Sequence, residues 1–286
     1  MTLLALSAII RAQTIERQIR QFGDHTALSR PVGLSLSPSG TVFAVADQSS
    51  DRIFVIDTQG SLLWEVGEMN RISQPSAVCM TGDNELLFAE SNHQAILHAG
   101  SADPRTIDTV VDLSAFSDDV KSINRLVRGP KGDFIVMDQS RSQVLSFGSD
   151  WKLKKIIAAH GQGKGKIWSP TDVTSDLGGD VAVSDSRNFP MQLFSPDGVA
   201  LFAAGWSTPL TQRGWEASAI AIDQQRMYWV SDYAESRWRL FDRAGNEVGK
   251  RPFDVTVIHP IASVFTPDNK MIVLDEIGAV LIFGMQ

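Results

Sequence analysis

The unit VADQSSDRIFVID, residues 45–57, returns five more times along the chain, at 88–100, 136–148, 183–195, 230–242 and 273–284. Each copy runs a β-branched or aromatic stretch into one acidic residue, then a short polar turn, then a second apolar stretch. The acids are Asp47, Glu90, Asp138, Asp185, Asp232 and Asp275, separated by 43, 48, 47, 47 and 43 residues. A single strand-rich unit of this length cannot bury both its faces, so it needs a neighbour on either side. A period in the forties made of such units predicts a radial array of small sheets. Six units predict six blades.

Each unit resolves into hairpins. Two apolar runs joined by a polar turn precede the acid, as in residues 31–47, 170–185 and 261–275. Pro-Ser-Gly at 38–40, Pro-Lys-Gly at 130–132 and Pro-Asp-Asn at 267–269 supply the turn conformations those hairpins need. A further turn (57–60, 195–198, 242–245) leads into a fourth run. The fold class is therefore all-β: a six-bladed β-propeller of four-stranded antiparallel blades. The sixth unit stops one strand short at Gln286, while residues 14–23 have the form of a fourth strand ahead of the first unit. Pairing 14–23 antiparallel with 279–284 would close the ring and remove two bare sheet edges.

With Pro31, Gly33, Gly40, Ala46, Asp47, Arg52 and Gly60 in the first unit, and the glycine-rich approach at 161–170 before the fourth, the repeat resembles the NHL-repeat family. That resemblance spans residues 14–286 and implies a TolB-like six-bladed ring. It also implies a binding or scaffold protein that presents a loop-lined face to a protein or peptide partner. The alternative it implies is a metal-assisted lactonase- or lyase-like enzyme with its site at the channel mouth. Propeller gluconolactonases hold a divalent metal with a Glu, an Asn and an Asp from different blades; here only Asp172 fits, and Gly33 stands where the first carboxylate would be wanted. Lyases resembling NHL propellers use three histidines with Tyr and Arg, whereas the two tyrosines here, Tyr228 and Tyr233, both fall in the fifth unit.

Composition suits one soluble propeller domain over residues 14–286. The single cysteine, Cys79, excludes an internal disulfide and sits in an apolar run, where packing explains it better than nucleophilic chemistry. Residues 1–13 read as a signal peptide or a tail. Their apolar run is far too short to span a bilayer, and they place the protein in the periplasm or outside the cell if cleaved, in the cytoplasm otherwise. A net charge of −7 argues against nucleic acid. Residues 121–166 run the other way, with ten Lys or Arg against three Asp or Glu. Lysines such as Lys152, Lys154 and Lys155 there read as guards of an exposed strand edge, or else as a patch for an acidic partner. The expected species is a monomer without cofactor, a divalent metal entering only under the enzyme alternative.

Candidate site residues follow from register. The six acids recur in every blade, as a hydrogen bond to the blade's own loops would require, with Arg52 and Arg237 as natural partners. Their competing reading is a metal site shared with the rim histidines His25, His93, His160 and His259. Two residues after each blade's opening come Gly33, Ala77, Arg125, Asp172, Ala219 and Ala262. Small residues suit a crowded axis, and the exceptions, Arg125 and Asp172, carry opposite charges in adjacent blades. They are expected to face the axis and meet, as a structural ion pair or as a spot for an anion or carbonyl, with His160 nearby. The loop at 203–218 adds Trp206, Arg213 and Trp215, either packed on neighbouring blades or exposed as a ligand anchor.

Overall fold

The computed structural model describes residues 13–22, 26–67, 72–116, 120, 122–205, 215–254 and 256–285. The signal-or-tail reading of the N-terminus, together with His25, Trp206 and Arg213, falls outside them apart from residue 13.

Six sheets of antiparallel strands form the ring. The first blade consists of Pro31–Leu36, Val42–Asp47, Arg52–Asp57 and Leu62–Val66, from axis to rim. The second runs Pro75–Gly82, Glu85–Glu90, Ala95–Gly100 and Asp108–Asp112. In the third, Arg125–Arg128, Phe134–Asp138, Gln143–Phe147 and Leu153–His160 are joined at the outer end by a short parallel strand, Lys166–Ile167. Pro170–Ser175, Val181–Asp185, Met191–Phe194 and Ala200–Ala204 make the fourth blade. Ile220–Ile222, Tyr228–Asp232, Arg237–Phe241 and Glu247–Pro252 make the fifth. The sixth has three consecutive strands, Pro260–Phe265, Lys270–Asp275 and Ala279–Met285, and takes its outer strand, Gln13–Ile19, from the other end of the chain.

That closure follows the sequence expectation, with Thr14 opposite Gly284 and Ile19 opposite Val280. The strand is shorter than expected. It ends at Ile19, and Gln21–Phe22 folds instead against Thr26–Ala27. Phe22 is thereby buried against Phe54, 5.1 Å between ring centres.

The core explains why the second strands read as almost continuous apolar runs. Among the described residues six apolar clusters occur, one between each pair of neighbouring blades. Alternate side chains of a strand point to opposite faces. In the first blade Phe43 and Val45 therefore enter the cluster shared with the sixth blade, while Val42, Ala44 and Ala46 enter the one shared with the second. Both faces are dry, so a one-residue slip would exchange the two clusters and mismatch both.

Polar ties join blades at the far ends of the hairpins. Arg226 of the fifth blade pairs with Asp176 of the fourth, and Arg243 with Asp180. Gly40, at φ +76°, lies so close to Pro267 of the sixth blade that an added Cβ would stand 2.0 Å from the ring Cδ. Glycine is required there by contact as well as by conformation. Lys154 and Lys155 are exposed on the outer strand of the third blade, the position of an edge guard.

Candidate functional site at the channel mouth

The repeated acids are buried and point into their own blade's loops. Asp47 accepts the N–H groups of Ser29 and Arg30 at 2.7 and 2.8 Å. Asp185 accepts four, from Trp168, Ser169, Arg187 and Asn188. Asp275 accepts those of Ile258, His259 and Ile277. Asp185 and Asp275 thus clip the loop leading into their blade to the loop that follows the acid, and Asp47 holds the loop leading into its own. The arginine partners differ from expectation in the fifth blade: Asp232 meets Arg239 at 2.7 Å, while Arg237 pairs with Glu235. The two arginines share a face of the strand, and Arg239 is the more deeply placed, its side chain 11% exposed against 36% for Arg237. Arg52 meets Glu65 at 3.3 Å.

A second register, just inside the first strands, closes the axis. In four blades the pairing slips between the opening proline and the residue two further on: Pro31/Gly33, Pro75/Ala77, Pro170/Asp172 and Pro260/Ala262. Such a bulge re-aims the intervening side chain. Ser76 donates to Ile123 O of the next blade at 2.6 Å, Thr171 to Ala217 O at 3.2 Å, and Ser218 at the same place in the fifth blade to Pro260 O at 2.6 Å. In the first and sixth blades the position holds Val32 and Ile261, which have no hydroxyl to give. Their carbonyls are taken by Arg125, whose Nη1 reaches Val32 O and whose Nη2 reaches Ile261 O, both at 2.8 Å.

Arg125 and Asp172 are brought together, Nε to Oδ1 at 2.8 Å, with side chains 15% and 6% exposed. Asp172 also accepts the N–H of Val173 at 3.0 Å and of Ile220 at 3.1 Å. Burial pushes its carboxyl above the usual carboxylate range, against the pull of Arg125 and the two N–H groups. Arg125 gives Nη1 a second acceptor, Asn124 O at 2.9 Å. Four of the five N–H donors of a guanidinium are thereby used, and one on Nη2 is left over among the described residues.

The guanidinium divides the axis into two cavities. Below lies a channel of about 260 Å³ walled by first strands and including Cys79, whose thiol is pushed up to about 12 by burial and is no nucleophile. Above lies a cup of about 330 Å³ open to the mouth. Arg125 floors the cup, and Arg30, Gln48, Asn124, Gln139, His259 and Glu276 stand around it. Gln48, Gln139 and Glu276 each follow a repeated acid directly, so their shared register is legible in the sequence although it was not singled out there. Arg30 and Asn124 come from loops that only folding brings to the axis.

The remaining candidates distribute as follows. His259 lines the cup, pairs through Nδ1 with Glu276, and carries the Tyr233 ring 4.4 Å away between ring centres. His160 is exposed at the end of the third blade, meets Trp168 edge-on at 6.4 Å, and does not line the cup. His93 pairs with Glu90 in a separate cleft on the second blade. Trp215 is packed inside the fifth blade rather than held out as an anchor. It stacks on Phe241 at 5.5 Å, donates to Ser231 O at 3.3 Å, and has the Arg239 guanidinium 4.8 Å above its ring.

No family model and no curated protein matches the chain. Solved structures do. Regucalcin, a calcium-binding protein from Agrobacterium tumefaciens, shares 14% identity at a TM-score of 0.66, over 96% of this chain and 94% of its own. Virginiamycin B lyase from Staphylococcus aureus shares 13% at 0.65, over 93% and 83%, and a streptogramin B lyase 12% at 0.62, over 90% and 94%. At these identities the likeness carries the six-bladed fold. Among the described residues the cup does not fit a divalent metal. A guanidinium already collects the Asp172 carboxylate and two carbonyl oxygens on the axis, and Glu276 is engaged by His259. Among the described residues no group of three or more His, Cys, Asp or Glu could hold an ion.

Proposed function

We propose that the chain is an NHL-like propeller that binds a protein or peptide partner in the polar cup at its channel mouth. One observation carries this reading: the cup is rich in donors that the protein leaves unused. The Arg30 guanidinium, the Asn124 Nδ2 group, the Gln139 side-chain amide and one N–H of Arg125 have no acceptor among the described residues. Polar side chains held around a concave site by a stiff frame are what orientation of a ligand requires. A display of random heptapeptides probed with the wild-type protein and with the Arg30→Ala/Gln139→Ala variant tests it. The expected result is a set of peptides captured by the wild type and lost by the variant at unchanged melting temperature. Equal capture by both proteins, or none by either, would overturn it.

A lactonase- or lyase-like enzyme at the same mouth is the second reading, and one arrangement favours it. His259 is oriented at Nδ1 by Glu276 and backed by Tyr233, which leaves Nε2 without a partner among the described residues, in the cup that Arg125 also lines. An imidazole fixed by a carboxylate next to a hydrogen-bond donor is a general-base geometry. Incubation with virginiamycin B followed by mass spectrometry separates the readings. Turnover that disappears in His259→Ala would move the assignment to the enzyme, and an unchanged antibiotic would leave this reading without its support.

A further inference from the structure

The unused donors of the cup are concentrated on the first and third blades, and their charge has no free counterpart among the described residues that line it. Arg30 cannot lose its proton, and its side chain makes no ion pair among the described residues. Asp47, whose carboxylate lies against the Arg30 backbone, is fully buried and occupied by the N–H groups of Ser29 and of Arg30 itself. Glu276, the acid that lines the cup, is taken by His259. A chain with 33 acidic residues against 26 basic ones thus leaves, among the described residues, a guanidinium unpaired at its mouth, lining the same cup as a second guanidinium with one N–H to spare. Two donors on Arg30 match the two oxygens of a carboxylate side by side.

Across the cup the surface changes character. Ile258 and Ile277 flank His259 and Glu276 in sequence and are 53% and 39% exposed, and Tyr233, lying against His259, is 41% exposed. The ledge is rigid, because Asp275 holds the backbone N–H of Ile258, His259 and Ile277 together. Exposed apolar side chains next to a polar pocket mark an interaction surface.

We propose that the mouth captures the C-terminus of a peptide: the terminal carboxylate on Arg30 with the spare N–H of Arg125, and an apolar side chain of the last residues on the Tyr233–Ile258–Ile277 ledge. The charge complementarity selects the carboxylate. The ledge, lying outside the cup, selects a ligand longer than a single small acid. This inference rests on the mouth being the ligand site and deepens that reading by naming the chemistry of the partner.

The test uses fluorescently labelled heptapeptides ending in Leu, made as free acids and as C-terminal amides, titrated into the full chain and followed by anisotropy. The free acid is expected to bind at least about ten-fold tighter than the amide, on the scale of a charge-assisted hydrogen bond. Arg30→Ala should remove that difference by weakening the acid alone. Ile258→Ser should weaken the Leu-ended peptide relative to a Ser-ended one by about five- to ten-fold. Amides that bind as well as acids, in a protein whose capture is still lost with Arg30→Ala/Gln139→Ala, would overturn the C-terminal assignment and leave mouth binding standing. Hexanoate that competes as strongly as the peptide would overturn the peptide assignment in favour of a small carboxylate. Failure of the display and of both heptapeptide forms would sink the two proposals together.

Discussion

Arg125 Nε lies 2.8 Å from Asp172 Oδ1, and through the remaining bonds of these two side chains five of the six blades meet at one point on the axis. The third blade supplies the guanidinium and the fourth the carboxylate. The first and sixth supply carbonyls, and the fifth an N–H. The centre of the ring is therefore a polar knot with a cavity on either side.

Breaking the knot from one side should be expensive. Asp172→Ala leaves a permanent cation against two carbonyls from other blades and strips Ile220 N of its acceptor, with an expected loss of about 3–5 kcal/mol in urea unfolding. The double variant with Arg125→Ala should lose less than the two single losses added together, since each single change strands the other partner. Strict additivity in the cycle would mean that the two groups do not depend on one another.

The pH dependence has a definite sign. The carboxyl of Asp172 is raised above 3.8 by burial, which Arg125 and two N–H groups oppose without overcoming. In the window between 3.8 and that raised value the folded state holds a proton that the unfolded chain has released. Stability contributed by this group should therefore fall as pH rises through the window. Asp172→Asn removes the titration, and the difference in unfolding free energy between wild type and variant should slope across the window and flatten above it. A difference independent of pH would show the carboxyl to be unshifted.

Asp185 accepts four backbone N–H groups from two loops. Replacing it with Ala orphans them at once, so the expected loss is about 1–3 kcal/mol or somewhat more. Thermal unfolding with peptide capture measured in parallel checks the structural role, because a ligand-binding acid would lose capture and keep its melting temperature.

Gly40→Ala meets two penalties, a left-handed backbone for an L residue and a Cβ driven into Pro267. Together they should destabilise by about 2–5 kcal/mol. Pro267→Ala in the same chain should restore part of the loss, and a variant as stable as wild type would show that the two hairpin tips part freely.

The ring was legible in the sequence because its causes are local and repeated. Alternating apolar side chains set two dry faces per blade, turn residues set the hairpins, and the acid of each unit recurs because each blade must clip its own loops. Even the closure could be read, since the sixth unit lacks a strand and residues 14–23 have the form of one, although the extent of that strand, ending at Ile19 so that Phe22 can be buried against Phe54, could not. The opposite charges of Arg125 and Asp172 at one register announced their meeting. What they join was not announced: Val32 O and Ile261 O lie 93 and 136 residues away along the chain. Backbone carbonyls carry no sequence signal, and only ring closure brings them to the axis. The same holds for the cup. Arg30 and Asn124 are unremarkable where they stand in the chain, and they join His259 and Glu276 in one site because six mutually supporting blades converge on a single point.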